Sequence, residues 1–301
     1  MFMELLKPKN DVVFHCLFRK GNENITKALI SAIIGEEIEE IELDNDRYLL
    51  QEYPEQKMGI LDLNAKLNNG VLCNIEIQLT DKGDIEKRIL GYWARMYGSQ
   101  LIVGEPYTQL NKAIMILIAD FELESLKDID KVHTKWQIRE EKVVDKVLTE
   151  DLEIHIIMLP KARKGKEENE LMQWLAFLDN PNKKGVKEMK KKNKDIADAL
   201  WKLEEISEDK KLRRIAELKA KWELDEKSAR YYWKEKGLAE GREEGKKQGI
   251  EEGIKEGIEK GEKNKTMEIA KKLLKKGIDI EVIIESTGLT KEEIEELKSS
   301  I

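Results

Sequence analysis

Two short segments, 59–67 and 71–79, alternate apolar and polar residues and flank three residues, Asn68-Asn69-Gly70. Apart from Ile60 and Leu72, the apolar residues of both segments fall at odd positions. Residues paired across a hairpin lie on the same face of the sheet, so the numbers of each pair must sum to an even value. A three-residue loop with Gly70 in the left-handed conformation meets this condition, whereas a two-residue Asn69-Gly70 turn does not. The pattern therefore predicts an antiparallel hairpin with one apolar face.

The same pairing predicts that Asp62 lies directly opposite Glu76 on the polar face. With β-carbons roughly 5 Å apart, two facing carboxylates repel each other. A divalent cation between them turns this repulsion into a net attraction, since Mg²⁺ and Mn²⁺ prefer oxygen ligands. The alternative is the ordinary solvent-exposed face of an amphipathic hairpin. The residue pattern alone leaves both interpretations open.

The rest of the first 160 residues has the pattern of a mixed α/β domain. We expect Asp11 to cap the first helix and Gly35 to end the second. A continuous apolar run at 113–119 is typical of a buried central strand. The predicted helices are 12–18, 25–34 and about 84–101, and a further predicted strand is 154–159.

Composition excludes several classes of protein. The chain has two cysteines, Cys16 and Cys73, without CxxC spacing, which argues against a disulfide framework or a cysteine-rich zinc site. No apolar run approaches the length of a membrane span, and residues 1–11 lack an apolar signal-peptide core, so we expect a cytoplasmic protein. Residues 1–160 hold 19 basic and 29 acidic side chains, so any surface that binds nucleic-acid phosphate must be a local basic patch within an acidic region.

The second half of the chain has a helical pattern throughout. We expect domain boundaries at 1–165, 166–236, 237–265 and 266–301. In the third segment a glycine stands at every fourth position from Gly237 to Gly261. Seven glycines inside a helix would cost roughly 7 kcal/mol relative to alanine. The tract therefore either pairs with a second copy of the chain, giving a dimer, or is a flexible, partly helical linker.

The C-terminal residues 279–297 have the turn and the capping residues of a helix-turn-helix. Residues 279–301, however, carry seven acidic and two basic side chains. Because an acidic second helix would be repelled by phosphate, we expect a protein-contact or regulatory module here.

Asp62 together with Glu76-Ile77-Gln78 resembles the D…ExK signature of PD-(D/E)XK nucleases, with glutamine in the lysine position. The wider chain resembles the Rpn recombination-promoting nucleases, also described as PD-(D/E)XK nuclease family transposases. The residues that carry this wider resemblance are KNDVVF at 9–14, KRILGYWARMYGSQL at 87–101, WLAFL at 174–178, the glycine tract, and TGLT at 287–290. Together they cover nearly the whole chain.

The resemblance implies a restriction-endonuclease-like α/β core that cleaves DNA with Mg²⁺ or Mn²⁺, in recombination, mobile-element movement or defence. Asp62 and Glu76 would hold the metal, aided by the backbone carbonyl of Ile77. Gln78 would complete the catalytic set, although an amide orients water without supplying the charge of a lysine. The resemblance also implies low sequence specificity.

DNA contacts are expected from Lys9 and from Arg88, Tyr92 and Arg95 of the third helix. The plain alternative for Lys9 is a solvated lysine beside a helix cap, and for the two arginines it is surface ion pairing. Two alternatives to the nuclease function also stay open. One is a DNA-binding or regulatory protein that keeps the fold without the chemistry, which uncharged Gln78 favours, and the other is an oligomeric scaffold.

Overall fold

The computed structural model describes residues 4–44, 63–165 and 168–300. It divides into two compact units, with the boundary after Lys227, and each is described by itself.

The first unit is built on one six-stranded mixed sheet with strand order β1-β2-β3-β4-β6-β5. Strands β1, β2 and β3 are antiparallel to one another, β3, β4 and β6 are parallel, and β5 lies antiparallel at the edge. The continuous apolar run forms the central strand β4, in which every residue is buried, as predicted. The strands are β1 (Ile41–Asp44), β2 (Leu63–Leu67), β3 (Leu72–Gln78), β4 (Ala113–Ala119), β5 (His133–Arg139) and β6 (Val147–Met158).

The predicted hairpin register is confirmed where the structure describes it. Leu63 pairs with Ile75 and Asn64 with Asn74, so the numbers of each pair sum to 138. Gly70 has φ +82° and ends a three-residue loop, as the parity of the apolar residues requires. Asp62, which the same register assigns to Glu76, lies outside the described residues.

Helices cover both faces of the sheet. The odd-numbered side chains of β3, including Ile75 and Ile77, belong to a large core shared with α1, α2, α5 and α7. The even-numbered face lies under α3, whose Ile85 and Ile89 pack against β4 and β6. The helices are α1 (Asp11–Phe18), α2 (Glu23–Ile34), α3 (Ile85–Gly98), α4 (Leu159–Ala162), α5 (Glu170–Asp179), α6 (Lys184–Met189), α7 (Lys194–Glu208), α8 (Lys210–Lys275), α9 (Ile280–Thr287) and α10 (Lys291–Ser299).

Two predicted boundaries were wrong. The α1 cap is Asn10, whose side chain accepts from the Val12 amide, and Asp11 is the first helical residue instead. Strand β6 begins at Val147, well before the predicted start, because its first half extends along β5 with polar residues that hide the strand pattern. Gly35 does end α2, in the left-handed conformation.

The second unit holds the end of α8, together with α9 and α10. A small apolar core of Ala270, Ile283, Leu289 and Ile294 joins these three helices. Thr290 and Glu293 form the predicted capping box at the start of α10. The glycine tract is helical throughout, since α8 is continuous from Lys210 to Lys275. Among the described residues, every helix is too short or too polar to cross a membrane.

Candidate functional site

Glu76 is a buried carboxylate on a central strand. Glu76 is 2% exposed and lies on the face of β3 that α3 covers, beside Leu117 of β4. Asn74 shares that face and is 5% exposed. The interpretation of this face as ordinary solvent-exposed surface is therefore wrong for these two residues. A buried carboxylate requires compensating partners, because leaving water disfavours its charge.

Two donors converge on one oxygen of this carboxylate. The Gln78 amide nitrogen Nε2 donates to Glu76 Oε1 at 2.5 Å, and a guanidinium nitrogen of Arg88 donates to the same oxygen at 2.5 Å. Gln78 follows Glu76 by two residues and so shares its side of the strand. Arg88 comes from α3, where the buried neighbour Ile89 anchors the helix to the sheet. The sheet and the helix thus bring together three residues that the sequence assigned to catalysis and DNA binding.

Tyr92 lies one turn beyond Arg88 on α3. Its hydroxyl is 3.4 Å from an Arg88 nitrogen, and the guanidinium carbon is 5.7 Å from its ring centre. Burial disfavours the charged guanidinium, but the Tyr92 hydroxyl and the Glu76 carboxylate together raise the pKa of Arg88 above its ordinary value. Arg95, two turns from Arg88, is exposed and makes no ion pair within the described part of the chain. Of the two predicted arginines on α3, Arg88 is partly buried and paired with Glu76, whereas Arg95 is exposed.

Lys9 lies in a second cluster, at the carboxyl ends of β3 and β4. Its ammonium is 2.9 Å from both Asp120 and Asp179, and Arg163 pairs with the same two carboxylates. Burial tends to raise the pKa of Asp179, but hydrogen bonds from Arg163 and Lys9 lower it to about 2. The amide of Asp120 donates to the Gln78 carbonyl at 2.8 Å, so the cluster adjoins the end of the Glu76 strand.

Lys9 and Asp11 face different surroundings. The Asp11 carboxylate is 3.5 Å from the ammonium of Lys219 on α8, and burial raises its pKa. Lys9 is 15% exposed, so its plain alternative as a solvated lysine is wrong. Sequence analysis missed Asp120, Asp179 and Arg163. The one available signal was an aspartate placed directly after an apolar parallel strand, where ligand sites in α/β sheets tend to form.

The backbone carbonyl of Ile77 faces the hairpin side of β3. The Leu72 amide and the Gln78 carbonyl both bond to the β4 side, at Lys112 and Asp120. Backbone groups alternate in direction along a strand, so odd-numbered Ile77 points the opposite way, toward β2. The last described pair on that side is Leu63 with Ile75.

The donors on this face suit a hard divalent cation. The side-chain oxygen of Asn74 is buried and has no hydrogen-bond partner among the described residues, while its nitrogen donates to the Asn64 oxygen at 2.8 Å. Asn74, Glu76 and the Ile77 carbonyl offer only oxygen atoms, which Mg²⁺ and Mn²⁺ prefer. No three acidic, histidine or cysteine side chains of the described residues gather closely enough to hold an ion by themselves. The residues present fit a cation that takes further ligands from outside the described residues.

Two family models match this chain. Residues 8–232 match the PD-(D/E)XK nuclease family transposase model, and residues 263–299 match the model for the Rpn/YhgA-like nuclease family, C-terminal HTH domain. Neither a curated protein nor a solved structure matches the chain significantly. The second match corrects our expectation that the C-terminal module is something other than a helix-turn-helix. The acidic charge misled that expectation, because local caps and packing decide the fold while surface charge does not.

Proposed function

This chain belongs to the PD-(D/E)XK nuclease family transposases, and from that premise we propose that it is a metal-dependent DNA endonuclease of low sequence specificity. We propose that it acts in the cytoplasm, in recombination, mobile-element movement or defence. The observation that carries the proposal is the buried carboxylate of Glu76 on a polar strand face, with Gln78 and Arg88 bonded to it. A carboxylate charge that is costly to bury and is held by specific polar partners is typical of a functional site.

Asp62, Glu76 and the Ile77 carbonyl are the proposed metal ligands. Asp62 lies outside the described residues, and its role rests on the hairpin register, which would pair it with Glu76 if continued by one residue. The bound Mg²⁺ or Mn²⁺ would polarise the scissile phosphate and lower the pKa of the attacking water. The direction of the Ile77 carbonyl, toward the β2 side, supports its inclusion.

Gln78 acts in this scheme by orientation. Its amide nitrogen is held by Glu76 Oε1 at 2.5 Å, which leaves the amide oxygen to accept a hydrogen bond from water. The amide supplies no positive charge, so Gln78 cannot stabilise hydroxide as a lysine would. The charge must come from another residue, and Arg88 is the nearest cation that the described contacts show at Glu76.

DNA contacts are proposed for Lys9, Arg88, Tyr92 and Arg95, and for the C-terminal helix-turn-helix domain. Arg95 is exposed and free of ion pairs within the described residues, so it can reach a phosphate directly. Lys9 is already shared by two aspartates, and its contribution is to hold the strand ends at which the phosphate backbone would pass.

The glycine tract is the proposed dimer contact. Apart from the adjoining residues and the local backbone of α8 itself, no heavy atom of the described residues lies within 4 Å of a β-carbon added at Gly249, Gly253 or Gly257, so the stripe is open to a second helix. Ile250 and Ile254 beside it are 53% and 58% exposed. Replacing the three glycines with alanine should favour the helix by roughly 1 kcal/mol each. We expect this triple variant to sediment as a monomer, and a dimer unchanged from wild type would remove the proposal.

Plasmid cleavage in Mg²⁺ or Mn²⁺ tests the function. We compare wild type, Asp62→Ala, Glu76→Ala and a control, Glu42→Ala, which removes an exposed glutamate of the same sheet. Removing a metal ligand should lower the rate by roughly 10³-fold, since the metal contributes several kcal/mol to the transition state. Wild type and Glu42→Ala should nick the plasmid. Equal inactivity of all four proteins would favour a regulatory or scaffold protein that keeps the fold.

A further inference from the structure

Arg88 contacts the carboxylate that the proposed site offers to a divalent cation. Its nitrogen lies 2.5 Å from Glu76 Oε1, and the Glu76 side chain is only 3% exposed. The charge of this carboxylate is thus balanced from within the protein. A divalent cation needs the same negative charge, and two cations at one buried carboxylate repel each other strongly where water is scarce.

We infer that Arg88 and the catalytic divalent cation compete for Glu76, so that cation binding displaces the guanidinium from the carboxylate to a DNA phosphate. The inference rests on the proposed metal site and adds a role for Arg88 beyond DNA contact. Arg88 is then a positioning residue before the cation binds and a phosphate ligand afterwards.

The surroundings of Arg88 allow this movement. The helix that carries it is fixed by Ile85 and Ile89, each 3% exposed, whereas the Arg88 side chain is 24% exposed. The Tyr92 hydroxyl is 3.4 Å from an Arg88 nitrogen and its ring centre is 5.7 Å from the guanidinium carbon, so Tyr92 offers the guanidinium a second contact when it leaves Glu76. The guanidinium can therefore change partners while α3 stays in place.

The exchange would also make a neutral Gln78 compatible with catalysis. The glutamine holds Glu76 but brings no charge to the scissile phosphate. A displaced guanidinium supplies that charge with planar, paired donors that match a phosphate. The positive charge thus reaches the site from α3 instead of from the strand.

Cation binding to the full-length protein tests the exchange without reference to activity. Mn²⁺ is titrated, and free Mn²⁺ is followed by its electron paramagnetic resonance signal, with binding that persists in Glu76→Gln subtracted. Arg88→Met keeps the length of the side chain and removes the competing charge. The matched control, Lys87→Met, removes an exposed cation from the adjacent position of α3. Arg88→Lys keeps the charge, and circular dichroism checks that each variant is folded.

We expect Arg88→Met to bind Mn²⁺ about tenfold more tightly than wild type, because a charge that competes for Glu76 has been removed. Lys87→Met should stay within about twofold, and Arg88→Lys should bind more weakly than Arg88→Met. Plasmid cleavage by Arg88→Met at saturating Mn²⁺ should nevertheless fall roughly 100-fold, since one donor to the transition-state phosphate is lost. Tighter binding with slower cleavage is a combination that a purely structural arginine would not produce.

Two other results separate the two proposals. If Glu76→Gln abolishes a Mn²⁺ site that Arg88→Met leaves no tighter, the exchange is wrong and the metal site stands. If wild type and Arg88→Met both lack a site that depends on Glu76, the proposed function fails and the exchange fails with it. Should Arg88→Met not fold, Arg88→Gln gives the same comparison with a polar side chain.

Discussion

Two buried glutamates of the same sheet, Glu76 and Glu153, are balanced in different ways. Their side chains are 3% and 1% exposed, and they lie on opposite faces. Glu153 Oε2 is 2.8 Å from the ammonium groups of both Lys112 and Lys135. At Glu76 the contacts among the described residues show one cation, Arg88, which reaches the carboxylate from a helix.

The Glu153 cluster continues through a histidine pair. His155 Nε2 lies 2.7 Å from Glu153 Oε1, and its Nδ1 lies 2.7 Å from His133 Nε2. The carboxylate requires a proton on His155 Nε2, so we assign the His133 Nε2 proton as the donor to His155. Burial tends to raise the pKa of Glu153. Hydrogen bonds from His155 and the two lysines outweigh burial and lower this pKa well below its ordinary value.

The two carboxylates differ in how completely the described residues surround them with partners. Partners from β5, β6 and the start of β4 surround Glu153, so its charge is satisfied by the folded sheet itself. Arg88 alone supplies the positive charge that the described contacts show at Glu76, and its side chain is partly exposed. We therefore propose that Glu153 stabilises the fold and that Glu76 serves the reaction. Four experiments can break or sharpen that distinction.

The largest effect on stability is expected from Glu153→Gln. Removing the carboxylate leaves two lysines facing each other near the buried His155, and we expect unfolding free energy to fall by about 3 kcal/mol. Urea unfolding followed by circular dichroism measures the change. The control is Glu150→Gln, an exposed position on the same strand, which should change stability by less than about 0.5 kcal/mol. A loss below about 1 kcal/mol for Glu153→Gln would mean that the cluster is not structural.

A smaller effect is expected from acid. Burial lowers the pKa of His133 from 6.5 to about 4, so between these values the unfolded chain binds a proton that the folded chain does not. Stability is therefore lost as pH falls from 6.5 toward 4. His133→Gln should flatten this slope by on the order of 1 to 2 kcal/mol in urea unfolding across that range. His15, whose pKa burial also lowers to about 4, should leave a residual slope. If the slope in His133→Gln is unchanged, the loss of stability in acid does not come from the lowered pKa of His133.

Glu76→Gln should change stability less than Glu153→Gln does. Functional carboxylates often destabilise the fold that holds them, and Arg88 can turn outward to water once its partner is neutral. We expect unfolding free energy to stay within about 1 kcal/mol of wild type, or to rise, when measured in the presence of a chelator. A loss as large as that of Glu153→Gln would show that Glu76 is also a structural charge.

The smallest effect is expected from Tyr92→Phe. The hydroxyl makes one long contact, 3.4 Å to Arg88, and the aromatic ring that faces the guanidinium is retained. Plasmid cleavage should fall by less than about tenfold, and unfolding free energy should change by no more than about 0.5 kcal/mol. A loss of cleavage equal to that of Glu76→Ala would give the hydroxyl a direct role at the reacting atoms.

Local patterns predicted the hairpin and the central strand well. The parity of apolar residues and a glycine suited to positive φ determine a register, and both signals lie within twenty residues of one another. Strands β1 and β5 were missed. Strand β5, an edge strand with the sequence HTKWQIR, has too little apolar alternation to stand out from a loop.

Contacts between distant segments could not be predicted in the same way. Lys9 meets Asp120 and Asp179 across sequence separations of 111 and 170 residues, which depend on how α1 and α5 pack on the sheet. The expectation that Arg88 would face DNA phosphate left out Glu76, because spacing on a helix does not show what lies beneath it. The predicted domain boundaries stay predictions, although α8 runs without a break across positions 236 and 265.

The central claim is that Glu76 serves the reaction while Glu153 serves the fold. Its most direct test is Mg²⁺-dependent plasmid cleavage by Glu76→Gln and Glu153→Gln side by side, at a temperature at which circular dichroism shows both to be folded. We expect Glu153→Gln to cleave like wild type and Glu76→Gln to lose cleavage by roughly 10³-fold. Cleavage by Glu76→Gln at the wild-type rate, or its loss in folded Glu153→Gln, would contradict the claim.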